Sequence, residues 1–145
     1  MKLVLNKDLM DKMVDHALDS YPMECCGFVF GSDQLDGRIV TEVHTASNNQ
    51  QGDQRRRFEI DPRDYLKAER YALEKEITLL GIYHSHPDHP AVPSKHDLKQ
   101  AVPFFSYLIL STEQERVKKV TSWQLYHEQF EEEEIEIENK FETLK

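Results

Sequence analysis

Thr78-Leu79-Leu80-Gly81-Ile82-Tyr83-His84-Ser85-His86-Pro87 starts apolar and ends on two histidines. An apolar run that turns polar is the pattern of a strand leaving a core for a rim, and the reading predicts a strand over Thr78–His86. Side chains two apart on a strand share a face, so His84 and His86 project together. Three prolines between Pro87 and Pro93 make the next stretch a loop. Ser94-Lys95-His96-Asp97 then has the form of a capping sequence for a short helix that Pro103 terminates.

Upstream, Asn6 caps a helix expected over Lys7–Asp19, with Leu9, Met10, Met13, Val14, Ala17 and Leu18 on one face. Pro22 ends it, and Met23–Phe30 reads as a buried strand closed by Gly31. Ser32–Gly37 has hairpin chemistry and leads to a strand over Arg38–Thr45. Ala46–Gln54 is a polar loop, and a short strand is expected over Arg56–Ile60. Asp61-Pro62 starts a helix that ends near Glu76. Downstream, Ser106–Ser111, Val120–His127 and Phe130–Ile137 read as strands, the last showing the alternation Glu134-Ile135-Glu136-Ile137. Neither repeat nor linker interrupts the chain, and strands outnumber helices about two to one. The expectation is a single mixed α/β domain over residues 1–145, with 127–145 as an acidic C-terminal strand and tail.

The chain has 145 residues with 27 acidic against 18 basic side chains, a formal charge of −9. That length suits one domain with a sizeable core. The acid is concentrated at the end: His127–Lys145 carries −6 and the first 126 residues only −3. A net acidic body argues against a nucleic-acid partner, which would require clustered Lys and Arg. Apolar runs are a handful of residues long, far below the ~20 that span a bilayer, so no membrane segment is expected. The opening Met1-Lys2-Leu3-Val4-Leu5-Asn6 has no signal-peptide core, which points to the cytoplasm. Cys25 and Cys26 are the two cysteines; adjacent, they form no ordinary bridge, and a reducing compartment is the natural setting.

Two imidazoles on one strand end make a metal clamp, and Asp97, in the first turn of a helix behind a proline-stiffened loop, can return to it. Two nitrogens and one carboxylate oxygen are the protein ligands of a catalytic zinc, leaving a position for water. Each part alone has a plainer role. Histidine pairs on exposed strand ends usually do nothing, and Ser-x-x-Asp caps helices without any metal. Together, though, four fixed residues at this spacing arise by chance roughly once in a few thousand chains this long.

The pattern His84-x-His86-x7-Ser94-x-x-Asp97, with Glu24 upstream, resembles the signature of the JAMM (MPN+) zinc metallopeptidases over nearly the whole chain. The resemblance implies a cytidine-deaminase-like fold, a mixed sheet flanked by helices. It also implies one Zn2+ per chain with a bound catalytic water. His84, His86 and Asp97 match the zinc ligands, Ser94 the serine that assists the oxyanion, and Glu24 the general acid/base. Such a carboxylate takes the water's proton and hands it to the leaving amine, while a hydroxyl donates to the oxygen as it gains charge. Glu42 and Glu59 also lie near strand ends. Glu24 is preferred because it opens an apolar strand, where an unpaired carboxylate needs a reason.

Small stand-alone bacterial members resemble this chain best. Glu24-Cys25-Cys26-Gly27 and Asp61-Pro62 are similar to those of enzymes that process ubiquitin-like sulfur-carrier proteins, removing residues beyond a C-terminal Gly-Gly. The alternatives are an isopeptidase that removes a ubiquitin-like modifier from lysine, and a non-catalytic scaffold, which would lack a ligand that here is present. Arg55 and Arg57, alternating in Arg55-Arg56-Arg57, are expected to hold a substrate carboxylate. Cys25 and Cys26 read as buried thiols, His89 and His96 as exposed and inert, Trp123 and Tyr126 as core, and Glu131–Glu134 as solvated. The sequence leaves open the carrier, the residue preferred after the scissile bond, the oligomeric state, and whether the 46–54 loop gates the site.

Overall fold

A computed structural model of the chain describes residues 2–138. The expected first helix is α1 (Lys7–Ser20), where the Asn6 side chain accepts the Leu9 N–H at 2.9 Å. Its buried side is Leu9, Met13 and Ala17. The second is α2 (Pro62–Lys75), started by Asp61 accepting from the Arg63 N–H at 2.8 Å and ended by Glu76 in the left-handed conformation. The short third helix, α3 (Lys95–Gln100), carries a complete capping box between Ser94 and Asp97.

The strands are β1 (Lys2–Asn6), β2 (Cys26–Gln34), β3 (Gly37–Ala46), β4 (Thr78–Pro87), β5 (Ser106–Thr112), β6 (Val117–Tyr126) and β7 (Gln129–Glu138). They close into a mixed barrel in the order β1-β3-β2-β4-β5-β6-β7. β1, which the sequence reading leaves out, is the closing strand, parallel to both β3 and β7. The acidic tail beyond Glu138 lies outside the described residues.

Two apolar clusters divide the two sides of the sheet. Inside, α1 packs Leu9, Met13 and Ala17 against Leu3, Val29, Leu80 and Leu108. Each such Leu or Met contributes about 1.5–3 kcal/mol by leaving water. Outside, Ala68 and Ala72 of α2 cover Phe28, Phe30 and Ile82. Gly81 lets β4 lie against β5, since a Cβ there would collide with the Ser106 carbonyl. The mixed α/β class, a sheet with flanking helices, is as expected. Among the described residues no helix is long and apolar enough to cross a membrane.

The expected strand at Arg56–Ile60 is a loop instead. Its alternation is real as burial: Phe58 and Ile60 join the outer cluster. Its backbone, however, bonds to the 46–54 loop rather than to a strand, with Asn49 N–H on the Glu59 carbonyl at 2.7 Å and Asn48 Nδ2 on the Arg57 carbonyl at 3.0 Å. Trp123 is half-buried, donating from Nε1 to Thr121 Oγ1 at 2.8 Å, and Tyr126 is 43% exposed, so neither is a core residue. Glu133 is buried within the acidic run because Ser122 and Gln124 both donate to its carboxylate, at 2.7 and 2.6 Å.

Candidate metal centre

β4 carries the histidines, and a bulge sets which way they face. Opposite β2, Val29 pairs with Gly81 and Phe30 with Leu79, so Leu80 is the extra residue. Its side chain joins the inner cluster, while Leu79 and Ile82 belong to the outer one. His84 and His86 continue the Ile82 face, each 1% exposed. Phe58 stacks on His84 with ring centroids 4.5 Å apart, which gives the loop at 56–61 its role beside the site.

His84 Nε2 and His86 Nε2 lie 3.0 Å apart. Asp97 completes the set, Oδ1 at 3.3 Å from His84 Nε2 and Oδ2 at 3.2 Å from His86 Nε2. The Pro90 carbonyl, 2.8 Å from His86 Nδ1, can only accept. Nδ1 therefore carries the hydrogen, and Nε2 presents a lone pair to the shared space. Burial keeps the His84 imidazole neutral, opposed by the neighbouring Asp97 charge. Burial alone would raise the Asp97 carboxyl; the interactions with His84 and His86 and the hydrogen bond from the Ser94 N–H outweigh it, so Asp97 stays ionised. Two imidazole nitrogens and a carboxylate lie together, a donor set that fits a divalent cation such as Zn2+.

Glu24 is 2% exposed although it precedes β2 by two residues instead of opening the strand. A clip brings it to the histidines: Cys25 N–H donates to Ser85 Oγ at 2.8 Å, and Ser85 N–H to the Cys25 carbonyl at 3.1 Å. Burial, reinforced by the Asp97 charge, pushes the Glu24 carboxyl up to about 9. A cation on the adjacent triad acts in the opposite direction and favours the carboxylate. Ser94 Oγ accepts the Asp97 N–H at 3.0 Å, so its own hydrogen is left to donate. The plain capping role of Ser94 is thus fulfilled, and it orients Asp97.

Arg55 and Arg57 are both exposed, one in a turn and the other just past it rather than on a strand, so alternation does not align them. Their loop nevertheless reaches the site, since the Gln54 carbonyl accepts the Glu24 N–H at 2.7 Å and Asn48 Nδ2 donates to the Glu24 carbonyl at 3.1 Å. A cavity of about 340 Å³ opens beside His84 and Asp97, walled by Phe58, Tyr65, Ile82 and Tyr107. Cys25 and Cys26 are buried, and burial pushes both thiols up, Cys25 to about 11. His96 is half-buried, its Nε2 3.4 Å from the Phe58 carbonyl. Three positioning residues escaped the sequence reading: Ser85, Asn48 and Pro90. Of these, only Ser85, between the two histidines, carried a signal, its alternation onto the opposite face of β4.

A β4 bulge, a His-x-His pair and a returning aspartate thus gather a set of possible metal ligands on a mixed barrel, and the comparisons with known proteins place the chain among peptidase-related proteins. Residues 6–126 match the family of prokaryotic homologues of the JAB domain, and the chain belongs to that family. It is 33% identical to a desampylase of Haloferax volcanii over 76% of this chain and 81% of that one. It is 30% identical to the CysO-cysteine peptidase of Mycobacterium tuberculosis over 85% of this chain and 82% of that one. The solution structure of a protein from Desulfitobacterium hafniense superposes with a TM-score of 0.83 at 33% identity, covering 95% of this chain and 94% of that one.

Proposed function

We propose that the chain is a zinc-dependent peptidase that hydrolyses the bond after the C-terminal Gly-Gly of a ubiquitin-like sulfur-carrier protein, releasing an amino acid or short extension. The convergence of His84, His86 and Asp97 beside a buried Glu24 carries this reading. Bound in that triad, Zn2+ supplies Lewis acidity and a nucleophile at neutral pH. Glu24, beside the triad, takes the proton of the attacking water and returns it to the leaving amine as the C–N bond breaks. The Ser94 hydroxyl donates to the carbonyl oxygen as it gains charge. The groove past Phe58 and Tyr65 takes the Gly-Gly tail, and Arg55 and Arg57 on the neighbouring loop hold the carboxylate of the extension.

Isopeptidase action is the second reading, because one relative, 34% identical over 77% of this chain and 71% of that one, is named a probable TtuB-protein conjugate cleaving protease of Thermus thermophilus. Intact-mass spectrometry separates the two. Carriers ending in Gly-Gly plus extra residues, and carriers joined to lysine, are incubated with the protein with and without a zinc chelator. Chelator-sensitive loss of the linear extension is the expected result. Cleavage of the lysine conjugates alone selects the isopeptidase, and no cleavage of either, with zinc bound, overturns both.

A further inference from the structure

Glu24 does not stand alone against the triad. Among the described residues its buried carboxyl makes no hydrogen bond or ion pair, and its nearest company includes His89. The sequence reading set His89 aside as exposed, but its ring is half-buried and stacked on His86, with centroids 4.2 Å apart and planes at 24°. His89 Nδ1 lies 2.9 Å from the Pro87 carbonyl, an acceptor only, so Nδ1 holds the hydrogen and Nε2 offers its lone pair. One donor atom each from Glu24, His86 and His89 lies within 4.8 Å of the others. The protein therefore holds a second nitrogen-and-carboxylate set that shares a single member with the first.

We propose that Glu24, His86 and His89 form a second position for a divalent cation of the zinc type, overlapping the first and inhibitory when filled. The proposal rests on the assignment of His84, His86 and Asp97 as the first set. With Nδ1 committed to Pro90, His86 has one lone pair and serves one ion at a time. When the first set is filled, a second ion rests on Glu24 and His89 with solvent completing its shell, and so binds more weakly. When the first set is broken at Asp97, a single ion moves to Glu24, His86 and His89. In either case the Glu24 oxygens are occupied and cannot accept a proton from water.

Equilibrium dialysis of the folded chain against rising zinc ion, read by elemental mass spectrometry, tests this without reference to turnover. Wild type takes one equivalent at low zinc and a second at higher zinc. His89→Ala and His89→Phe, the latter keeping the stack on His86 without a lone pair, retain the first and lose the second. Asp97→Ala keeps a weakened ion that Asp97→Ala/His89→Ala loses. In a peptidase assay the zinc concentration that half-inhibits rises at least tenfold in His89→Phe. A second equivalent that persists in both His89 variants, or a double variant that binds as well as Asp97→Ala, overturns the proposal. The first equivalent depends on His84 and not on His89, so failure of the catalytic assignment shows separately. A wild type that binds no ion overturns both.

Discussion

Two loops border the candidate metal centre and are built in opposite ways. The segment from Pro87 to Pro93 is anchored outward along its length. Asp88 N–H donates to the Thr112 carbonyl at 2.7 Å, Ser111 and Thr121 hydroxyls donate to the His89 and Ala91 carbonyls at 2.6 and 2.7 Å, and Tyr21 donates to Asp88 at 2.6 Å. The segment from Ser47 to Ile60 is bonded mostly to itself, through Asn48, Gln50, Asp53 and Gln54. It touches the rest of the molecule chiefly at the Glu24 backbone and through buried Phe58 and Ile60. On the proposed function, the first loop is a fixed frame for ligands, where a small misplacement is costly, and the second carries its charges on a surface with few ties to the rest of the molecule.

The contrast can be broken at four places. His86→Ala has the largest expected effect: it takes a ligand from both donor sets, so the tightly bound equivalent of zinc is lost and activity with it, read by metal analysis at low zinc and by peptide hydrolysis. Uptake equal to wild type would refute the metal centre. Glu24→Gln keeps the first zinc and lowers turnover by about 10²–10⁴-fold, the usual share of general acid/base catalysis.

The same variant tests the burial of Glu24 in the metal-free protein. The folded chain holds that proton up to about pH 9 and the unfolded chain releases it near 4.5. Between these values the native state binds more protons, so stability falls as pH rises, by up to ~1.4 kcal/mol per pH unit. Denaturation in urea from pH 5 to 9 should show that slope in the wild type and its loss in Glu24→Gln. Matching slopes would mean the carboxyl is not held dry.

Smaller effects separate the two loops. Thr121→Val removes the hydroxyl that holds the Ala91 carbonyl and should weaken zinc about tenfold, as outer-shell changes do, measured by competition with a chelator. Arg57→Ala should leave zinc affinity and stability within ~0.5 kcal/mol of wild type while raising KM several-fold for substrates with a free carboxylate. If Arg57→Ala changed zinc and Thr121→Val did not, the roles given to the loops would be reversed.

The centre was largely legible because its parts are local: strand alternation places His84 and His86, and a capping pattern places Asp97 beside Ser94. Both long helices were legible for the same reason, since Asn6 and Asp61-Pro62 announce them. β1 was not, because its partners lie in β3 and β7, more than thirty and about a hundred and thirty residues away. Nothing within Lys2–Asn6 encodes that. At Phe58 and Ile60 the period-two pattern reported burial correctly and secondary structure wrongly, because the partner of that backbone is a neighbouring loop. His89 and Glu133 were read as solvated for want of knowing what would fold over them, a histidine ring in one case and two donors from β6 in the other.

The strand missing from the sequence reading has a consequence for recognition. With β1 seated between β3 and β7, every strand of the barrel already has two neighbours. The β1–β3 pairing is short, however, only Leu3 with Arg38 and Val4 with Ile39, so among the described residues the Val43–Ala46 stretch of β3 has a strand partner on its β2 side alone. Closing the ring thus shortens the exposed sheet edge without abolishing it, and confines strand addition by a second copy or an extended peptide to that stretch.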